Sequence, residues 1–210
     1  VDHLAGPRFT DALGQAVTAA HQHGAVVLVG VTPTRAATGY GYIQPEPSDD
    51  GGLTPVTSFH EKPDAQTAEA LIAGGALWNT GVVVAPVRTL QATIQDSQLA
   101  EFATAVRSAP AEAYREVAAV SFDVAVLEDR DDLWVLPVAA EWDDVGSWDA
   151  FSRAPARARL QAPGGADLHA AEGVTVVSDG PTVSAVGVED LVIVAWGDEV
   201  LVVAPEAAQE

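Results

Sequence analysis

Residues 56–81 hold the side chains with the clearest chemical potential in this chain of 210 residues. The segment begins V-T-S-F-H-E-K-P, continues through a short amphipathic run and ends L-W-N-T-G. It contains Lys62, the single lysine of the sequence, whereas the other nine basic residues are arginines. A lysine ammonium is a compact, flexible charge that suits a mobile phosphate group, which makes Lys62 a candidate phosphate ligand. A solvated surface charge at a strand end is the alternative.

Other polar groups extend this candidate site. The Glu61 carboxylate can accept hydrogen bonds from sugar hydroxyls, and the Asn79 amide offers a donor and an acceptor to adjacent hydroxyls. Asn79 could equally be a turn residue. Tyr40 and Gly41 lie in a T-G-Y-G run that lets the backbone approach a ligand closely, because glycine has no side chain. Taken by itself, that run favours an ordinary turn.

Two aspartates, Asp2 and Asp144, form a candidate ligand pair for a hard cation. Mg²⁺ is usually held by one or two carboxylates together with substrate phosphates. Both aspartates fall at predicted strand edges, where ligands bind in open α/β sheets. The D-D-V-G-S run at Asp144 could instead supply negative charge to a helix N-terminus. His3 stays open between a ligand and a structural hydrogen-bonding role.

Composition excludes several classes of partner and location. A net charge of −20 argues against a nucleic-acid duplex or an anionic membrane surface as the partner. The absence of cysteine excludes a disulfide framework and a thiolate zinc site. The sequence has no apolar run of about 18 residues and no secretory signal pattern at residues 1–7, which predicts a soluble, cytoplasmic protein. An anionic substrate would then need a metal, a lysine or helix N-termini nearby.

The elements that must position these residues alternate between helices and strands as far as about residue 153. A first helix over residues 9–23, ended by Gly24, is predicted by apolar residues at helical spacing, which are Phe9, Leu13, Val17 and Ala20. Buried or alternating runs predict strands over residues 25–31, 42–44, 56–60, 82–85 and 133–138. Further helices are predicted from the Asp64 cap to Ala73, over residues 86–95 and 99–108, and from the Ser121 cap to Glu128. Residues 142–148 are interpreted as a turn. This alternation implies a mostly parallel sheet covered by helices.

The C-terminal part has a different texture. After a linker rich in alanine, proline, glycine and arginine, strands are predicted over residues 174–178, 183–188, 191–196 and 200–204. Turns at Asp179-Gly180 and Gly197-Asp198 separate two pairs of these strands, as in hairpins. We therefore predict two domains, residues 1–155 and 156–210, and find no internal repeat at a fixed period.

Several motifs together resemble one known family. In chain order they are D-H, P-T-R-x-x-T-G-Y-G-Y-I, F-x-E-K-P-D, W-N-T-G, S-F-D-x-A-V-L-E and W-D-D-V-G-S-W. They resemble the mannose-1-phosphate guanylyltransferases of the sugar-nucleotidyltransferase superfamily, from residue 1 to about residue 151 and more loosely beyond. The resemblance implies an α/β fold: a Rossmann-like nucleotidyltransferase sheet with helices on both faces, N-terminally incomplete, plus a small C-terminal β-rich domain.

The same resemblance implies a reaction. The phosphate of mannose 1-phosphate would attack the α-phosphorus of GTP, giving GDP-mannose and pyrophosphate with Mg²⁺. Asp2 and Asp144 would hold the metal and, with Lys62 on the sugar phosphate, form the catalytic set. The substrate-binding residues that the resemblance implies are Tyr40, Gly41, Glu61, Lys62 and Asn79.

One family signature is missing from the sequence. The glycine-rich G-G-x-G-x-R-x-x-P segment that binds the nucleotide should precede Asp2, and the chain starts at Val1. We therefore expect the chain to be a fragment of a complete guanylyltransferase. The first alternative is a non-catalytic relative that binds a sugar phosphate or nucleotide sugar, or regulates a catalytic subunit. The second is a structural interaction module whose β tail serves homo-oligomerisation.

Overall fold

The computed structural model describes residues 3–48, 51–153, 164–204 and 207. The chain divides into two compact units, one formed by Val1–Ala5 with Glu141–Glu210 and the other by Gly6–Ala140. The predicted domain boundary at residue 155 lies outside the described residues and stays a prediction.

The described elements follow one another in a mixed order of strands and helices. The strands are β1 (His3–Ala5), β2 (Val27–Val31), β3 (Tyr42–Pro45), β4 (Thr54–His60), β5 (Leu77–Val84), β6 (Trp134–Val138), β7 (Trp142–Asp144), β8 (Ala166–His169), β9 (Thr175–Ser178), β10 (Val183–Val186), β11 (Val192–Trp196) and β12 (Glu199–Val203). The helices are α1 (Pro7–His23), α2 (Ala65–Ala73), α3 (Val87–Gln95), α4 (Ala100–Ala105), α5 (Pro110–Glu116) and α6 (Trp148–Arg153), with a π-helix at Asp123–Leu127. None of the helices in the described part of the chain has the length and apolar character that a membrane span requires.

The unit Gly6–Ala140 is built on five strands that hydrogen-bond in the closed order β2-β5-β3-β4-β6. Only the pair β2 and β6 is parallel among its described strands; the other four pairs are antiparallel. The prediction of a mostly parallel sheet was therefore wrong. A parallel crossover needs roughly a dozen or more residues. The connection between β3 and β4, residues 46–53, is too short for one.

Helix α1 confirms the first predicted helix and two of the four residues of its predicted buried face. It ends at Gly24, which adopts a left-handed φ of 62° and donates its N–H to the carbonyl of Ala20. Phe9 and Ala20 are buried as predicted, whereas Val17 is 51% exposed, because the middle of the buried stripe runs one position before Leu13 and Val17. That stripe consists of Phe9, Ala12, Ala16 and Ala20. Small alanine side chains let α1 pack closely against β2 and β6.

Strand β5 begins five residues before the predicted strand, so the W-N-T-G run lies inside the strand and not at its edge. Residues 77–80 are buried, whereas residues 82–84 are only partly buried. The polar side chain of Thr80 tolerates this position because its hydroxyl donates to the carbonyl of Val29 at 2.8 Å. The sequence prediction missed this because buried polar residues looked like loop residues.

The short helix predicted after Ser121 is a π-helix. The Ser121 hydroxyl accepts from the backbone N–H of Val124 at 3.2 Å, which is the kind of contact that a capping serine makes, although the N-cap residue is Phe122. The N–H of Glu128 donates to the carbonyl of Asp123 at 2.9 Å, the i→i+5 bond that defines this helix type. Helix α5 was not predicted.

Core side chains pack closely against Gly30 in β2. A Cβ atom at Gly30 would lie 2.8 Å from Leu77 Cδ1 and 3.0 Å from both Leu77 Cβ and Val135 Cγ2. We expect Gly30→Ala to lower the free energy of unfolding by about 1–3 kcal/mol, because the added methyl overpacks a close-packed core. Denaturant unfolding with an unchanged m-value measures this. The matched control is Gly14→Ala on the exposed face of α1, where a Cβ meets nothing within 4 Å. It is expected to stabilise by up to about 1 kcal/mol, and equal stability of both variants would contradict the packing argument.

In the other unit, the first three residues of the predicted turn at 142–148 form a strand. Strand β7 pairs antiparallel with β1, and His3 is the register partner of Asp144. The pairing involves a segment near the start of the chain, and such a distant partner is invisible to local sequence patterns.

The C-terminal strands form stacked parallel pairs, β8 with β10 and β9 with β11. Partner residues are 17 positions apart, as shown by residues 166 with 183, 172 with 189 and 175 with 192. The prediction of no repeat was therefore wrong. The repeat is carried by backbone geometry, since left-handed φ values recur at Ala170 and Gly187 and again at Gly173 and Asp190.

The two predicted hairpins have different outcomes. The turn at Gly197-Asp198 joins the antiparallel pair β11 and β12, which confirms the hairpin predicted there. The turn at Asp179-Gly180 does not make a hairpin, because β9 and β10 each pair with strands one repeat away.

Candidate functional site

Strand register brings three of the predicted site residues together at Gly41. Tyr42 on β3 is opposite His60 on β4 and Trp78 on β5. Neighbouring strands run in opposite directions in antiparallel pairs, so the residue before Tyr42 lies next to the residue after His60 and the residue after Trp78. Gly41 accordingly lies between Glu61 and Asn79, and its carbonyl accepts from the backbone N–H of Asn79 at 2.7 Å.

The absence of a side chain at Gly41 lets Glu61, Asn79 and Phe59 approach its backbone closely. A Cβ atom there would lie 2.7 Å from Glu61 Oε2 and 3.2 Å from both Asn79 Cβ and Phe59 Cζ. Any larger residue would displace the Glu61 carboxylate. The T-G-Y-G run is thus more than an ordinary turn at this position, since its last glycine is required by a close approach of three strands.

Lys62 and Glu61 form a loose ion pair beside Gly41. Lys62 Nζ lies 3.7 Å from Glu61 Oε1, and the Lys62 side chain is 63% exposed against 17% for Glu61. Lys62 also has a left-handed φ of 46°, a conformation that costs a non-glycine residue roughly 1–2 kcal/mol. Such strain is found preferentially at functional sites.

Burial of the Glu61 carboxyl raises its pKa above the ordinary value. The neighbouring negative charge of Asp123 raises this pKa further, whereas the Lys62 ammonium opposes the shift. Burial and the charge of Asp123 therefore disfavour the ionised form of this carboxyl. A ligand that brought hydroxyl groups to Glu61 would stabilise its charged form.

The amide of Asn79 is held in one orientation. Its Nδ2 donates to Asp123 Oδ1 at 2.9 Å, and its Oδ1 accepts from the backbone N–H of Gly81 at 3.1 Å. An amide NH₂ has two hydrogens and an amide oxygen two lone pairs, so one donor and one acceptor remain for a ligand. Asp123 was not among the predicted site residues, although it is the aspartate of the S-F-D-x-A-V-L-E motif.

An aromatic stack lies next to Gly41. The ring of Tyr40 meets that of Trp78 edge to face, with centroids 5.0 Å apart. The guanidinium of Arg35 lies 4.9 Å from the Trp78 ring centroid, and its Nη2 donates to the Tyr40 hydroxyl at 3.0 Å. Tyr40 is thus fixed by protein contacts, and its substrate-binding role stays a prediction. Arg35 is the arginine of the P-T-R motif and was missed as a neighbour of the site.

The remaining predicted site residues belong to the other unit. Asp144 Oδ1 accepts from the backbone N–H of Gly146 at 3.2 Å, and a Cβ at Gly146 would lie only 3.3 Å from that oxygen. These contacts orient the Asp144 carboxylate. Asp2 lies outside the described residues, so the predicted carboxylate pair stays a prediction. The ring of His3 packs edge to face on Trp142, with centroids 5.1 Å apart.

The donor chemistry at Asp144 fits Mg²⁺. Within residues 3–48, 51–153, 164–204 and 207, histidine, aspartate and glutamate side chains form no group of three or more suited to a metal ion. Mg²⁺ needs no such group, because one or two carboxylates and substrate phosphates commonly hold it. A single oriented aspartate is compatible with that mode.

Comparisons with known proteins agree on the family. The sequence profile described as "Nucleotidyl transferase" matches residues 2–159, and that of the "MannoseP isomerase/GMP-like beta-helix domain" matches residues 170–210. Proteins described as mannose-1-phosphate guanylyltransferases from Klebsiella pneumoniae and Escherichia coli are each 35% identical over 100% of the chain and 48% of their own length. The chain thus spans about half the length of these curated relatives.

A solved structure gives the same answer. The crystal structure of a protein described as mannose-1-phosphate geranyltransferase from Thermus thermophilus superposes with a TM-score of 0.81 at 31% identity. The match covers 100% of this chain and 65% of the Thermus chain. These matches confirm the predicted fold class, a nucleotidyltransferase fold followed by a β-rich domain. The β-helix profile also explains the 17-residue spacing of the C-terminal strands.

Proposed function

Because the chain belongs to the nucleotidyl transferase family, we propose that it acts in the transfer of GMP from GTP to mannose 1-phosphate. The products would be GDP-mannose and pyrophosphate. The observation that carries the proposal is the convergence of Glu61 and Asn79 on the backbone of Gly41, with the Lys62 ammonium 3.7 Å from the Glu61 carboxylate. The names of the relatives from Klebsiella and Escherichia supply the sugar and the base.

The roles follow from the chemistry of each group. The half-buried Glu61 carboxylate accepts hydroxyl donors of the sugar, and the fixed Asn79 amide donates to one hydroxyl and accepts from another. The exposed Lys62 ammonium binds the sugar phosphate. A phosphate oxygen then attacks the α-phosphorus of GTP, the bond to the β-phosphate oxygen breaks, and pyrophosphate leaves. This displacement needs positioning and charge neutralisation and no nucleophilic side chain.

Mg²⁺ belongs to the same proposal. Asp144, with Asp2, would hold the ion, which would supply positive charge against the phosphates of the nucleotide. A chain with a net charge of −20 repels anionic substrates as a whole, so local cations must offset that repulsion.

Titration of the folded chain with mannose 1-phosphate tests the proposal. Isothermal titration calorimetry is expected to show saturable binding of mannose 1-phosphate and much weaker binding of mannose or inorganic phosphate alone. Pyrophosphate release from GTP, with Mg²⁺ or with a chelator, measures transfer. Binding without transfer would favour the non-catalytic sugar-phosphate-binding alternative. A chain that is folded by circular dichroism and binds no mannose 1-phosphate would contradict the proposal.

A further inference from the structure

We propose that Asp123 is a positioning residue of the sugar site, which acts by fixing the Asn79 amide in the orientation that a sugar hydroxyl requires. The inference rests on the proposed function and deepens it. It assigns a task to a carboxylate that the reaction itself does not use.

The contact between the two side chains is direct and sheltered. Asp123 Oδ1 accepts from Asn79 Nδ2 at 2.9 Å, and Asn79 is only 9% exposed. The two residues are 44 positions apart in the sequence, so the bond ties the π-helix to β5. A bond to an ionised acceptor is stronger than one between neutral groups.

This contact decides which atom of the amide faces which partner. The two ends of an asparagine amide have nearly the same shape and opposite hydrogen-bonding character. An aspartate that is ionised can only accept, so it selects the NH₂ end of Asn79. The oxygen end then faces the N–H of Gly81. Without Asp123, the 3.1 Å bond from the N–H of Gly81 would hold the orientation of the amide alone, and its NH₂ end would lose its acceptor.

The π-helix gives Asp123 a rigid base. The last three residues of the π-helix belong to the hydrophobic core. They are Ala125, Val126 and Leu127, which are 4%, 2% and 0% exposed. The carbonyl of Asp123 is also bound by the N–H of Glu128. A side chain held by packing and by a backbone bond keeps a fixed direction, and such support is what an accurately placed binding group needs.

The ligand class follows from the groups that remain. Glu61 offers acceptor oxygens only, whereas the fixed Asn79 offers one donor and one acceptor at a defined place. Neighbouring hydroxyls that donate to Glu61 and both donate to and accept from Asn79 would satisfy this set. A sugar phosphate with free adjacent hydroxyls is such a ligand, and its deoxy analogues are not.

A double-mutant cycle tests the inference. Dissociation constants for mannose 1-phosphate are measured by calorimetry for the wild type, Asn79→Ala, Asp123→Ala and the double variant. We expect each single substitution to weaken binding about tenfold and the double variant to be no weaker than Asn79→Ala, since the two residues act as one unit. Binding of inorganic phosphate, which does not involve the amide, is expected to be unchanged in Asp123→Ala.

Further variants guard against a folding defect. Asp123→Asn keeps the side-chain shape and an acceptor oxygen, so it should fold and recover most of the affinity, to within about threefold of the wild type. That remaining loss should vanish in the Asn79→Ala background. Asp129→Ala, an exposed aspartate just beyond the π-helix, is the matched control and should bind as the wild type does.

The outcomes separate the two proposals. A wild-type chain that binds mannose 1-phosphate but gives additive losses in the cycle would overturn the role of Asp123 and leave the proposed function intact. The same holds if Asp123→Ala binds as tightly as the wild type. A wild-type chain that does not bind mannose 1-phosphate would overturn both.

Discussion

Lys62→Ala is expected to weaken the binding of mannose 1-phosphate by about tenfold, because a hydrogen bond to a charged group contributes about 1.5–3 kcal/mol and the Lys62 side chain is largely exposed. Lys62 is the single lysine of the chain, and its ammonium lies 3.7 Å from the carboxylate of Glu61. The same substitution should leave the weak binding of mannose without phosphate unchanged. Calorimetric titration with the two ligands measures both expectations.

The backbone at Lys62 supplies an internal control for this prediction. Because Lys62 has a left-handed φ of 46°, Lys62→Gly removes the ammonium and also relieves the strain. The free energy of unfolding of Lys62→Gly should therefore exceed that of Lys62→Ala by about 1 kcal/mol. Both variants should bind the sugar phosphate equally poorly. Wild-type affinity in both variants would make Lys62 a solvated surface charge.

Local signals in the sequence predicted the helix ends well. Gly24 and Asp64 were recognised because capping depends on a residue's own backbone and its nearest neighbours. Asp64 does accept from the N–H of Thr67, at 2.7 Å. The Lys62 and Glu61 neighbourhood was also predicted from local sequence, since the two residues are adjacent.

The contacts that build the site are not local. Gly41 meets Glu61 and Asn79 only because the registers of three strands coincide, and no periodicity within one strand reveals the register of another. Asp123 reaches Asn79 across 44 positions. Both Arg35 and Asp123 stood inside recognised motifs, but a motif does not tell which of its residues contacts a ligand and which one supports a neighbour.

The C-terminal strands show the same limit in another form. The 17-residue spacing is maintained by left-handed corner residues that differ in type, alanine against glycine and glycine against aspartate. The corner positions share a backbone conformation but not a residue type, so comparison of letters did not detect the repeat. Turn-forming dipeptides such as Asp179-Gly180 predict a change of direction but not the strand that pairs next.

Gly41→Ala is expected to weaken mannose 1-phosphate binding by about 100-fold while changing the free energy of unfolding by less than about 1 kcal/mol. The added Cβ would lie 2.7 Å from Glu61 Oε2. That oxygen is at the end of a flexible side chain, so the carboxylate can swing aside, whereas Asn79 Cβ and Phe59 Cζ, each 3.2 Å away, need to give by only a few tenths of an ångström. Displacement of the carboxylate, however, removes the acceptor that the sugar hydroxyl requires. Gly30→Ala shows the opposite pattern, because there the clash is with packed core atoms.

The cause can be isolated with two further variants. Gly39→Ala lies two residues earlier, where a Cβ meets nothing within 4 Å, and should bind as the wild type does. In a Glu61→Ala background, the Gly41→Ala substitution should cost less additional affinity than it does alone, because the group that it displaces is already gone. If Gly41→Ala binds as tightly as Gly39→Ala, the sugar does not lie beside Gly41. The assignment of Glu61 and Asn79 to its hydroxyls would then have to be abandoned.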